Sequence, residues 1–220
     1  MNRLAIETAN ECCQVALESG GERAVRRATG PRIHGTVLLP WIEELLAEAG
    51  IAFADLDALI VDRGPGAFTS LRLGIAVAQG IALAHDLRCY PVSSLAALAA
   101  TAAPPGWSGR LLAVSDARMG EVYAACFEID AGGLPRPVTA EAVSRPDHIV
   151  LPASGSLAVT GSGRALCMES LKARLGARPG EVFEHDGPNV EALFALAGEA
   201  SPVSAEALQP VYLRDQVANR

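Results

Sequence analysis

Apolar positions alternate over short runs at the start of the chain and take on helical spacing after residue 38. Leu4–Ile6 and Gln14–Leu17 flank the polar stretch Glu7–Glu11, a pattern that predicts an N-terminal hairpin. Gly20-Gly21 ends its second strand and leads into a third around Arg23–Ala28. Leu38, Leu39, Ile42, Leu45, Leu46 and Ala49 recur at helical spacing, with Glu43, Glu44 and Glu48 off that stripe and Gly50 as the stop. Pro40 sits either in the first turn of this helix or inside one that starts earlier, near His34. Ala58–Val61 reads as a buried strand, and Thr69 or Ser70 as the cap of a helix reaching about Ala84. Cys89–Val92 is a strand, and Ser93-Ser94 caps an alanine-rich helix to about Ala103.

Pro104-Pro105-Gly106 is the clearest break and predicts a lobe boundary, giving lobes over 1–103 and 107–220. Beyond it, Leu111–Ser115 and Val122–Ile129 form a second hairpin around Asp116–Glu121. Ser156–Thr160 is a strand, Gly161-Ser162-Gly163 a turn and Arg164–Leu175 a helix; Asn189 caps a last helix to about Ala200. Both halves open with a hairpin and continue into strand–helix units, so the chain is α/β with a duplication at the level of fold rather than of residues.

Composition narrows the function classes. Half of the 220 residues are apolar and 20% are charged, which is a globular balance. A net charge of -7 opposes autonomous nucleic-acid binding, leaving Arg23, Arg26 and Arg27 as an arginine patch that contributes only within a larger assembly. The five cysteines contain no C-x-x-C pair, so reduced thiols in a cytoplasmic protein are expected and a zinc site is not. Glu7 arrives too early for a signal-peptide apolar region, and Leu73–Ala84 is too short to span a bilayer. His34, His85, His148 and His185 include no pair four residues apart, which leaves no metal site in prospect.

The stretch Arg63–Gly74, RGPGAFTSLRLG, carries the strongest local signal. Gly64 and Gly66 around Pro65 make a tight turn into a helix, a geometry that suits an anion. A phosphate loop of the Walker type needs a lysine before Ser or Thr and none is present, so a structural turn is the better reading. The helix that follows has no charge from Leu73 to Ala84, and Gly74 and Ala78, like Ala76, Gly80 and Ala84, fall at four-residue spacings. A helix apolar on every side must be covered twice, and small residues at this spacing permit close helix approach. That covering is either packing within the lobe against the 38–49 helix or a partner interface formed by the two helices together; the interface is the favoured reading, because a lobe of about 100 residues has few other elements to cover that face. Asp116, Arg118 and Glu121 form an ion-paired turn or a candidate acid/base or partner-contact cluster; Cys12-Cys13 lacks the basic neighbour a nucleophile needs.

LAIETANECCQVAL, HGTVLLPWIEELL, GPGAFTSLRLGIAVAQGIA, DARMGEVYAA and PVYLRD together resemble the TsaB family, also called YeaZ. The resemblance spans both halves. It implies a two-lobed actin/Hsp70-like (ASKHA) fold, each lobe a mixed β-sheet with helices, the tail packing back on the first lobe. It implies a cytoplasmic, non-catalytic scaffold that binds TsaD, with TsaE, for threonylcarbamoylation of adenosine 37 in tRNAs reading codons that begin with A. It further implies a homodimer when the chain is isolated, and contact with tRNA only through the complex. The docking residues expected are Leu38, Trp41, Ile42 and Leu45 on the first helix, with Thr69, Arg72, Ile75, Ala76, Gln79, Gly80 and Leu83 on the second. The catalytic sister carries two metal-binding histidines where this chain has Ser94 and Leu98. No cofactor is expected on this chain alone, ATP or ADP being left to the complex. By analogy with actin-like ATPases, the candidate nucleotide contacts are Glu7, Thr8, Gly161, Ser162 and Gly163. Family members usually show Asp-Thr where this chain has Glu7-Thr8, Ser where it has Ala67 and Gly where it has Ser70, changes that weaken nucleotide turnover. The alternative is an actin-like enzyme, a kinase or glycopeptidase-type hydrolase.

Overall fold

The computed structural model describes residues 1–176 and 180–214. The described residues form two compact units, Met1–Ser94 with Asn189–Val211, and Leu95–Pro188 with Tyr212–Arg214.

In the first unit the expected hairpin forms from β1 (Arg3–Glu7) and β2 (Cys12–Ser19), extended by β3 (Glu22–Thr29). β4 (Ala58–Asp62) and β5 (Arg88–Val92) complete a sheet of order β3-β2-β1-β4-β5, antiparallel through β1 and parallel from β1 to β5. β4 is buried along its whole length, as a parallel strand covered on both faces must be. Helix α1 (His34–Ala49) runs straight through Pro40, so the earlier start is the correct one. Left-handed Gly50 ends it: its N–H reaches Ala47 O at 3.1 Å and the Ile51 N–H reaches Leu46 O at 3.0 Å, which satisfies two terminal carbonyls. Leu38, Ile42, Leu45 and Leu46 pack α1 onto the sheet. Helix α2 (Phe68–His85) follows β4, and α3 (Ser94–Ala102) follows β5.

The second unit repeats the plan. β6 (Gly109–Asp116) and β7 (Val122–Ile129) are the second predicted hairpin, flanked by β8 (Pro135–Pro137) and β9 (Ala142–Ser144) on the β7 side. β10 (Ala158–Thr160) runs parallel to β6, and β11 (Val182–Phe183) parallel to β10. The order β11-β10-β6-β7-β8 is that of the first unit read from its other edge. Leu111 and Ala113 share a core with Leu95, Leu98 and Ala99 of α3, while Leu112 and Val114 share one with Cys167 and Leu171 of α4 (Arg164–Leu175). The period of two along β6 thus sends alternate residues to two helices. Two mixed sheets with helices give the two-lobed α/β fold expected.

Three expectations need correction. Pro104–Gly106 is only a turn, closed by Trp107 N–H to Pro104 O at 2.9 Å, and the units divide instead at Ser94/Leu95. A Pro-Gly cluster marks a local break, whereas the division is set by where α3 buries its leucines. The last helix, α5 (Val190–Leu196), ends short of Ala200, and Asn189 makes no side-chain cap. The edge strands β8, β9 and β11 lack the apolar alternation that flags a strand. Asp215 of the PVYLRD motif lies outside the described residues.

Candidate functional site

The glycines of the β4–α2 turn serve their own unit. Asp62, the last residue of β4, accepts the Gly64 N–H at 2.7 Å and the Ser94 hydroxyl at 2.5 Å. A Cβ on Gly66 would lie 2.2 Å from Ala9 O, and one on Gly74 would lie 2.1 Å from Thr8 Oγ1. The close backbone approach these glycines allow is to the β1–β2 hairpin, and the Ala67 N–H donates to Ala9 O at 2.7 Å. Neither Thr69 nor Ser70 caps α2: Ala67 is the cap residue, without a side-chain bond, and Ser70 Oγ donates back to Ala67 O at 3.4 Å.

The candidate nucleotide contacts are likewise engaged. Glu7 and Thr8 are fully buried. Glu7 accepts from Ala9 N–H at 2.8 Å and Gln14 Nε2 at 2.9 Å; burial, with Asp62 beside it, holds its carboxyl well above the usual range. In the second unit a Cβ on Gly161 would lie 1.8 Å from Val114 O, and Gly163 N–H donates to that same carbonyl at 3.1 Å. Ser162 Oγ accepts the Asp116 N–H at 3.1 Å. Gly161 and Gly163 therefore let α4 start against β6, a role equivalent to that of Gly66 and Gly74.

Helices α1 and α2 pack against each other. Of the residues expected on their docking face, Leu38, Ile42, Leu45 and Ile75 are buried in the unit's core and touch no solvent-facing surface. The helical stripe that marks them is the stripe facing the sheet. Trp41 and Gln79 are half-buried, and Gln79 donates to Leu208 O at 2.9 Å and Ala205 O at 3.2 Å, tying α2 to the returning C-terminal segment. That segment covers a second side of α2. Thr69, Arg72, Ala76, Gly80 and Leu83 remain exposed as one stripe, Leu83 at 68%. Leu39 and Phe68, absent from the expected set, are 44% and 55% exposed, and the Arg72 guanidinium lies 3.5 Å over the Phe68 ring. The signal for Leu39 was its place off the i, i+4 row of Leu38, Ile42 and Leu46. A Cβ on Gly80 meets nothing within 4 Å, so the centre of the stripe is open to close backbone approach.

The remaining candidates resolve into structural contacts. Ser94 is buried against Asp62, and Leu98 is fully buried in the second unit's core. His34 is buried, which lowers its pKa; His85 stacks on Phe53 at 6.0 Å; His148 lies 3.7 Å from Asp147; and the His185 carbonyl accepts from Gly161. Among the described residues no group of three His, Cys, Asp or Glu converges as metal ligands. Arg23 pairs with Glu18 at 2.7 Å, Arg26 with Glu48 and Glu44, and Arg27 with Glu191, so the arginine patch is a set of ion pairs. Asp116 accepts the Arg118 N–H at 2.7 Å, while Glu121 pairs with Arg214, which brings DARMGEVY and the tail motif together. Burial pushes the Cys13 thiol up to about 12 and those of Cys89, Cys126 and Cys167 to about 11, far from a nucleophile's range. No helix among the described residues is long and apolar enough to cross a membrane.

Comparison with known proteins adds a direct line. Residues 29–218 match the family model described as TsaD: tRNA N6-adenosine threonylcarbamoyltransferase. The tRNA threonylcarbamoyladenosine biosynthesis protein TsaB of Escherichia coli (strain K12) is 37% identical over 99% of this chain and 96% of its own. That of Haemophilus influenzae is 32% identical over 97% and 94%. A solved structure, YeaZ from Pseudomonas aeruginosa, superposes with a TM-score of 0.84 at 36% identity, covering 96% of this chain and 99% of that one.

Proposed function

We propose, from the premise that this chain belongs to the TsaB (YeaZ) family, that it is the non-catalytic subunit that docks TsaD. Its place is in tRNA threonylcarbamoyladenosine biosynthesis, the process named in its relatives. The observation that carries the docking role is the exposed stripe Thr69, Arg72, Ala76, Gly80 and Leu83 on α2. It is apolar or small except for Arg72, lies on the helix that packs against α1, where Leu39 is exposed too, and is backed by the buried core of Ile75, Leu38, Ile42 and Leu45. Small residues let a partner helix approach closely, and Leu83 with the Phe68–Arg72 stack supplies the bulky anchors that dominate interface energy.

The non-catalytic assignment rests on what occupies the expected reactive positions. Ser94 is held by Asp62, and Leu98 is core, where the catalytic sister has histidines. TsaD performs the chemistry, with a nucleotide, ATP or ADP, bound within the assembly; TsaE joins it, and tRNA is reached through the complex. In the absence of TsaD a second copy of this chain covers the same stripe, giving a homodimer. The protein works in the cytoplasm.

Reconstitution tests the role. Mixed with TsaD and TsaE of the same organism, the chain co-elutes with TsaD and restores threonylcarbamoylation that TsaD lacks alone. Failure of both, or ATP hydrolysis by the isolated chain at a rate comparable to the complex, would replace this reading with the enzyme alternative.

A further inference from the structure

Segment 203–208 returns to the first unit from far along the chain and is pinned there. Cys89 donates its N–H to Val203 O at 2.9 Å and accepts the Val203 N–H at 2.8 Å, which pairs the segment with β5. Gln79 on α2 holds the carbonyls of Ala205 and Leu208, and both of those side chains are buried in the unit's core. Glu206, between them, is left exposed beside α2. Two hollows that share Leu83, Ala205 and Glu206 open between this segment and α2, so they form one groove. The larger, about 260 Å³, is lined also by Gln79 and Gly80. The smaller, about 180 Å³, runs on to Asp86 and Arg88 at the C-terminal end of α2. A cavity of roughly 150 Å³ holds a benzene ring, so the larger hollow admits a leucine, methionine or phenylalanine side chain.

We propose that this groove is a second wall of the docking surface and seats one helix of the partner, a helix that carries a large apolar side chain with a lysine or arginine one turn away. The inference rests on the reading that TsaD docks on α2, and makes that helix TsaD's. Gly80 and Leu83 belong both to the exposed stripe and to the groove, so a helix lying along the stripe meets the returning segment as well. Its apolar side chain enters between Gly80 and Ala205, where a Cβ on Gly80 would meet nothing within 4 Å. Charge selects the residue one turn on, which lies on the same face of that helix. Asp86 and Glu206 are exposed carboxylates among the lining residues, and the last carbonyls of α2 add the negative end of its dipole. The Ser204 hydroxyl donates to Glu206 and favours its ionised form. Arg88 is the one cation among the lining residues, and His85 stacks on Phe53 instead of lining the groove. A basic side chain of the partner therefore meets Glu206 at the rim, where charge acts on association rate and its salt dependence.

Calorimetric titration of TsaD with the full chain at about 50 mM and about 500 mM salt tests the groove. Glu206→Lys reverses the charge at an exposed position and should weaken binding by about tenfold at the lower salt and by less than about threefold at the higher. Glu206→Gln should show a smaller loss of the same sign. Glu199→Lys makes the same change of net charge at an exposed position that does not line the groove, and should bind within about twofold of the wild type. Equal losses in the two lysine variants, or a Glu206→Lys chain that binds as the wild type does, overturn the groove and leave docking on α2 standing. A wild-type chain that does not bind TsaD at all removes the docking reading, and this inference with it. Sedimentation of the isolated chain supplies the last arm. If Glu206→Lys loosens self-association and spares TsaD binding, the occupant is a second copy and the assignment to TsaD is overturned.

Discussion

The two strand-to-helix turns, β4 to α2 and β10 to α4, occupy equivalent places in two sheets of the same order, and they differ in only one consequential respect. Both are glycine-rich for the same reason: a Cβ would strike the first strand of its own sheet or the turn after it, at Ala9 and Thr8 in one case and Val114 in the other. Both first strands end in a carboxylate that accepts the N–H two residues on, Glu7 from Ala9 and Asp116 from Arg118. The difference lies on the helices that follow. α4 carries Arg164, Glu169, Lys172 and Arg174, an ordinary solvated face, whereas Arg72 is the only charged residue between Phe68 and Ala84 on α2. The turns are therefore scaffolding in both units, and what singles out α2 is its outer stripe.

Substitutions can break this comparison, beginning with the largest effect. Gly161→Ala combines a 1.8 Å clash with a backbone at φ 111°, and should destabilise by on the order of 4 kcal/mol in urea denaturation. Gly66→Ala, which clashes without a positive φ, should lose about 1–3 kcal/mol. Equal, negligible effects at both would show that these glycines are not there for packing. Next comes pH. The folded state holds the Glu7 proton more tightly than the unfolded chain, so stability falls as pH rises above about 4.5, by up to about 1.4 kcal/mol per unit. Glu7→Gln should remove that slope, read from urea midpoints at several pH values. Smallest is Gly80→Ala, with an open Cβ in an exposed helix, which should stabilise by about 0.5–1 kcal/mol while weakening TsaD binding. A stabilised variant with unchanged affinity would separate Gly80 from the docking stripe.

How far the sequence reveals this arrangement depends on the scale of the signal. Both hairpins, α1, α2 and α4 are legible because apolar spacing and glycine stops act locally. The unit boundary is not, since the destination of Leu95 and Leu98 is a tertiary choice that no residue near Pro104 encodes. The proposed docking residues are half legible for a related reason. Helical spacing locates the buried face, so Leu38, Ile42, Leu45 and Ile75 stand out even though the outward surface is the other one. α2, small or apolar on nearly every side, announces a second covered face. Part of that covering is the segment at Ala205 and Leu208, brought there from far along the chain.

The stripe itself is tested most directly by calorimetric titration of TsaD with wild-type chain and with Ala76→Arg. Ala76 is exposed, so the substitution should leave the melting temperature unchanged, whereas Ile75→Arg, one residue away, should unfold the first unit. The account predicts that Ala76→Arg loses about 100-fold or more in affinity, some 2.7 kcal/mol, by placing a guanidinium in the closest helix contact. A folded Ala76→Arg chain that binds TsaD as the wild type does would contradict it.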